Sequence, residues 1–168
     1  LAPIPLIIKL GYLFGDKKTI DIYQKFREPN SWSWQSEDET NKFEVRKITR
    51  NENNKIAIIL SVSSMIDINR IIKVDNFGIV YHLQAEECSV NAIKSLQDLE
   101  CFWQKYLEML DIIKNSDSVN EISLFPAIPV SVAFMVGNKY MKGIYPKIRI
   151  YDDCDGFFET LVIGGNDD

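Results

Sequence analysis

Few side chains in this sequence are spaced for covalent chemistry; more are spaced to hold a ligand. The single histidine, His82, lies inside the apolar run FGIVYHLQ with no serine or cysteine at a partner spacing. That context describes a packed, hydrogen-bonded imidazole rather than a general base. Asp152, Asp153 and Asp155 resemble a divalent-cation cluster, and on that reading the chain is a magnesium- or manganese-dependent nuclease. No complete calcium loop follows them, however, and Gly156 closes the run as a solvated turn would. The three cysteines, Cys88, Cys101 and Cys154, form no C-x-x-C pair and offer no zinc spacing. Walker, G-x-G-x-x-G, G-x-S-x-G and H-E-x-x-H patterns are all missing from the sequence. The expectation is therefore a domain without catalytic residues, metal or cofactor.

Three places suit a bound anion or base. In Leu124–Pro129 (LFPAIP) a strand ends in an aromatic ring and a helix starts among small residues, so unpaired amides near Val130 and Ser131 favour a phosphate. Ser61–Ser64 ends another apolar run in hydroxyls and small side chains that allow close approach. Trp32 and Trp34 stand two apart, on one face of an extended segment, where bases can stack. Nearby Arg27 can grip a phosphate with two parallel N–H bonds. Each has a plainer reading: turn rigidity at Phe125-Pro126, a loop start at Ser61–Ser64, and core closure by the two indoles.

The bulk numbers agree with a small ligand rather than a polymer. A net charge of −5 opposes wrapping of long DNA or RNA, which needs many cationic phosphate contacts. At 168 residues the chain is long enough for one domain with a real core. Scattered, odd-numbered cysteines suit a reducing cytoplasm, and no apolar run is long enough for a bilayer. Lacking an initial Met and opening on an apolar run, the chain reads as a piece of a longer protein.

Several elements must position those residues. Pro3–Leu10 reads as a strand stopped by Gly11, Phe43–Thr49 alternates partially, and Asn51–Asn54 is a turn. Lys55–Val62 is a continuous apolar run of the length expected for a strand buried on both faces. The stretch to Val74 has helical character, and Phe77–Gln84 is another strand. Leu96–Lys114 is the clearest helix, with Ser95 and Asp98 as a capping box and Leu96, Leu99, Trp103, Tyr106, Leu110 and Ile113 as its inner stripe. Glu121–Phe125 is a strand, Pro126–Pro129 a rigid turn, and a helix then runs to about Val136 with Gly137 ending it. Lys147–Tyr151 and Phe157–Ile163 are strands around the Asp152–Gly156 turn. The order implies an α/β fold, Rossmann-like, with a largely parallel sheet flanked by helices.

The run Glu121–Gly137 (EISLFPAIPVSVAFMVG) closely resembles the signature of SAVED domains, a strand ending in Leu-Phe-Pro-Ala-x-Pro followed by a small-residue helix ending at Gly. Tyr23–Trp34, with its Gln24, Arg27 and terminal Ser-Trp-Ser-Trp, resembles a second block; Leu60–Ser63, Ser95–Phe102 and Pro146–Tyr151 resemble others, in order across nearly the whole chain. Ser123 stands where many members carry His, and Asn138-Lys139 where Arg is common; Lys139 can replace that charge but not its fork. The resemblance implies fused CARF-like halves and a single sensor domain over residues 1–168, with a missing N-terminal effector. It implies a cyclic di- or trinucleotide ligand made within a bacterial CBASS antiphage system. Arg27, Trp32, Trp34, Ser63, Ser64, Phe125, Pro126, Ala127 and Lys139 are the expected contacts. It further implies self-association on binding and a fused nuclease of the HNH type. The alternative is a protein-interaction or oligomerisation module that keeps the scaffold and binds no nucleotide.

Overall fold

The computed structural model describes residues 3–16, 20–35, 40–115 and 119–165. Its centre is β2 (Ile56–Ser61), six residues that are all buried, as a continuous apolar run demands when both strand faces are covered. β3 (Ile79–Ala85) and β4 (Glu121–Ala127) lie parallel to β2 on either side, and β5 (Lys147–Asp153) lies parallel to β4. β1 (Phe43–Thr49) and β6 (Phe157–Ile163) close the two edges antiparallel, giving the order β1-β3-β2-β4-β5-β6. This is the expected α/β sheet, parallel in its middle, and it is the one sheet among the described residues.

Helices α1 (Ile4–Phe14), α3 (Leu96–Asn115) and α4 (Val130–Asn138) cover one face. The main core forms there between Ile58, Leu60, Leu83, Leu124 and Ile150 of the sheet and Phe102, Leu110 and Val132 of the helices. Among the described residues, the one helix on the opposite face is the single turn α2 (Ile68–Ile71), over a smaller cluster of Ala57, Ile59, Val80, Phe77 and Phe125.

Four expectations are corrected. Pro3–Leu10 belongs to a helix, not a strand: Pro3 and Pro5 sit at its start, where a missing N–H costs nothing. A uniformly apolar run carries no period by which to tell the two apart. Gly11 does not stop this helix, and Gly137 does not stop α4; they mark where the two helices cross. A Cβ on Gly11 would stand 2.2 Å from the Phe134 carbonyl oxygen, and one on Gly137 1.9 Å from that of Ile8. The α3 stripe is rotated, with Phe102 and Met109 buried while Leu96 is 52% exposed. Finally, β4 runs on through Pro126 to Ala127, which face Leu60 and Ser61 of β2. Its pairing with β5 ends at Leu124, so past that point one side of β4 needs no amide donor and proline fits.

Candidate ligand-binding edge

After β2 the chain moves to one side to form β3, then crosses back to place β4 on the other side. The order therefore reverses between β2 and β4. Ligands of open α/β sheets gather beyond the carboxyl ends of the strands at such a point, because the outgoing loops diverge and leave a crevice. Here the two loops are tied at their base. The Ala127 carbonyl accepts from Val62 N at 3.0 Å and from Ser63 N at 2.8 Å.

Beyond that clamp the chain offers donors. The hydroxyls of Ser63 and Ser64 and the Ser64 amide make no hydrogen bond among the described residues, and Ser64 is exposed. Ala133 is the first α4 amide to find a backbone acceptor, on Pro129, so the amides of Val130, Ser131 and Val132 lack an intrahelical partner. Val130 is exposed, whereas Ser131 is buried with its hydroxyl donating to Gln24 Oε1 at 2.5 Å.

Gln24 holds down a third part of this edge. Its side chain is buried and its amide nitrogen donates to the Ile93 carbonyl at 3.0 Å. It thereby joins residues 20–35 to the start of α4 and to the segment before α3. This strap turns back on itself through a bridge between Phe26 and Ser31. Arg27 and Trp32 project from the turn, both exposed, and the Lys25 ammonium lies 5.6 Å from the Trp32 ring centre. Trp34 differs: it is half-buried, edge-on to Phe26 at 6.0 Å, and donates from Nε1 to the Ile22 carbonyl at 3.1 Å. The segment before α3 is fixed in turn by Asp98, a buried carboxylate accepting from the amides of Asn41, Lys94 and Ser95 and from the Ser95 hydroxyl. Ser95 Oγ accepts from Asp98 N at 3.0 Å and completes the expected capping box.

One polar pair lies under the β2 loop. Ser61, fully buried, has its Oγ 2.7 Å from His82 Nε2 and accepts from Ile66 N at 3.1 Å. Burial pushes the His82 pKa below the ordinary histidine range; Arg46, opposite on β1, adds to this and Glu44 opposes it. The imidazole is therefore neutral near pH 7, as a packed histidine should be.

The expected contacts thus fall into groups. Ser63, Ser64, Pro126 and Ala127 meet at the strand ends, and Arg27 and Trp32 stand on the strap. Trp34 and Lys139 line a separate cleft of about 450 Å3 between α3, α4 and the strap, with Asp16, Asp21 and Glu100. Phe125 joins none of them. Its ring is fully buried, stacked on Tyr151 at 4.5 Å and met edge-on by Phe77 and Phe157, so it presents no face to a base. The apolar neighbours that make the ring attractive in the sequence are the ones that cover it. Likewise Ser63 N is taken by the Ala127 carbonyl, so of Ser63 only the hydroxyl is open to a phosphate. Asp153 is engaged by the Arg70 fork at 2.6 and 2.8 Å, and no group of three metal-binding side chains occurs among the described residues. Gln24 and His82, which organise the edge from within, are not site residues in the sequence reading, and Ser61 and Ser131 appear there as ligand neighbours rather than as anchors. Their partners lie up to 107 positions apart, and the one available signal was Gln24's place in the Tyr23–Trp34 block.

Comparison with known proteins agrees with the fold. Three solved chains from Acinetobacter baumannii, of a Cap4 SAVED/CARF-domain containing receptor, share the fold. The receptor without a named ligand matches at a TM-score of 0.65 and 17% identity, over 95% of this chain and 34% of its own. The receptor with the cyclic trinucleotide 2′3′3′-cAAA matches at 0.70 and 17%, over 96% and 37%. The receptor with 3′3′3′-cAAA matches at 0.67 and 20%, over 95% and 36%. This chain thus spans about a third of the receptors it matches. No curated protein matches it. The family model for SAVED, the "SMODS-associated and fused to various effectors sensor domain", matches residues 1–163, so the chain belongs to the SAVED family of sensor domains.

Proposed function

We propose that this domain senses a cyclic di- or trinucleotide at the carboxyl edge of its sheet and passes the signal to a fused effector in CBASS antiphage defence. The observation that carries this is the Ala127 clamp, which brings the β2 and β4 loops together at the switch point with unpartnered hydroxyls and amides around it. Phosphates bind Ser63 Oγ, the Ser64 hydroxyl and amide, and the Val130 amide, with Arg27 closing from the strap. Bases stack on Trp32, since Phe125 is closed. Trp34 and Lys139 serve a neighbouring subsite in their own cleft. The bacterial cytoplasm is the setting, and an HNH nuclease is the effector that the Tyr23–Trp34 block favours.

A thermal-shift panel of cyclic di- and trinucleotides, including 2′3′3′-cAAA and 3′3′3′-cAAA, tests this. A ligand at a hundred times its Kd adds about 2.7 kcal/mol, which for a chain of this length raises Tm by roughly 5–11 °C. A folded protein that responds to no member of the panel overturns the reading. One observation favours the alternative of an interaction or oligomerisation module: Leu6, Leu10, Leu13 and Phe14 of α1 are all exposed, by 43 to 68%. Self-association without nucleotide, seen by light scattering, supports that alternative; self-association only with nucleotide supports the sensor.

A further inference from the structure

We infer that His82 is a positioning residue: by accepting the Ser61 hydroxyl proton, it fixes that oxygen as the acceptor for Ile66 N–H and sets the shape of the loop carrying Ser63 and Ser64. That this loop meets ligand rests on the reading above; the loop's dependence on His82 does not.

The geometry assigns the proton. Ser61 Oγ receives the Ile66 amide at 3.1 Å, so one lone pair is occupied. Its own hydrogen needs an acceptor in a fully buried site, and His82 Nε2 lies 2.7 Å away. The neutral Nδ1–H tautomer supplies that lone pair. The loop is thus closed at four points: Val62 and Ser63 on Ala127, the Val62 carbonyl receiving Ser89 N at 3.0 Å, Ile66 on Ser61, and the Ser61 carbonyl receiving Cys88 Sγ at 3.2 Å. Only Ser63, Ser64 and Met65 are left to vary, and they are the residues turned outward. Ser64 and Met65 are exposed and Ser63 half-exposed.

Protonation breaks this arrangement. An imidazolium has no lone pair at Nε2, so the Ser61 hydroxyl loses its acceptor and a buried O–H is left unpaired. The charged groups acting on His82 are Arg46, which repels the imidazolium, and Glu44, which favours it, both on β1; the titratable neighbour on the Ser61 side is Cys88, whose thiol burial keeps protonated. The loop should therefore loosen as pH falls through and below the ordinary histidine range.

Amide hydrogen exchange of the ligand-free domain tests the inference without nucleotide. Ile66 protection, corrected for intrinsic rate, should fall about tenfold in Ser61→Ala and in His82→Ala, and be restored in His82→Gln, whose amide oxygen can accept the hydroxyl. Between about pH 7.5 and pH 5 the wild type should lose Ile66 protection while His82→Gln stays flat. Equal protection in all variants, or a wild type insensitive to pH, overturns the assignment. With 2′3′3′-cAAA or 3′3′3′-cAAA as probe, a Kd that rises about tenfold in Ser61→Ala and in His82→Ala but stays near wild type in His82→Gln extends the effect to binding. If the wild type binds neither probe, the exchange data still decide the role of His82, and only the sensor reading fails.

Discussion

The two tryptophans of the strap separate binding from packing, because the structure gives them opposite surroundings. Trp32 is 59% exposed, and its one described ring partner is the Lys25 ammonium at 5.6 Å. Truncating it to alanine removes little burial and one exposed cation–π contact, a loss of about 0.5–1 kcal/mol and a Tm shift of roughly 1–4 °C. A base stacked on the indole contributes about 1–3 kcal/mol, so the same substitution should weaken nucleotide binding by roughly 5- to 150-fold. Trp34 is half-buried, leans on Phe26 and ties its Nε1–H to Ile22. A fully buried tryptophan costs about 3–5 kcal/mol on truncation; half that burial gives about 2 kcal/mol, or a Tm loss of roughly 4–8 °C. Calorimetric titration with the best ligand of the panel, beside a thermal melt of each variant, reads both quantities. Trp32→Ala with an unchanged Kd removes the base platform from the site. Trp32→Ala that melts as early as Trp34→Ala shows that the exposed indole is packing after all.

Two further substitutions test how the edge and its helices are held. Asp98→Ala leaves the amides of Asn41, Lys94 and Ser95 without their acceptor around a carboxylate that is 1% exposed; urea unfolding should show a loss of about 3 kcal/mol, and a loss under about 1 kcal/mol would refute the clamp. Gly137→Ala should destabilise by about 1–3 kcal/mol, although glycine to alanine inside a helix normally stabilises by about 1 kcal/mol, because the new Cβ would stand 1.9 Å from the Ile8 carbonyl oxygen. A more stable Gly137→Ala protein would mean that α1 does not cross α4 there.

What could be read from sequence was what local physics decides. The apolar run ending at Val62 is rich in β-branched residues and bounded by turn residues, and Ser95 with Asp98 caps its helix through bonds three residues apart, so both can be placed from sequence. α1 reads as a strand because IPLIIKLGYLF is apolar nearly throughout, and Gly11 carries the same letter whether it ends an element or lets two backbones touch. Phe125 shows the limit within the site itself. A ring at a strand end next to Pro126 has the same local sequence whether its face is open or covered. What covers it is Tyr151, Phe157 and Phe77, brought there by β5, β6 and the loop before β3. The strand-end position of Ser63 and Ser64 is legible because a strand's end is a local event and the switch point follows from strand order alone, whereas Ala127 reads as turn and lies in β4.

The residues that escaped notice act at a distance and through one another. Gln24 matters because Ser131 and Ile93 come to its two ends, and His82 because Ser61 turns its hydroxyl toward β3. Neither partner lies within one element of the other, so no period or motif could announce the pair. Both bonds, however, serve the segments that spacing had already selected: Gln24 pins the strap bearing Arg27 and Trp32, and Ser61 shapes the loop bearing Ser63 and Ser64. The outward residues of this edge meet solvent with their polar groups unspent because buried partners take over the work of holding the backbone. A substitution that spares every outward residue but cuts Gln24 from Ser131 should therefore weaken nucleotide binding as surely as removing Trp32.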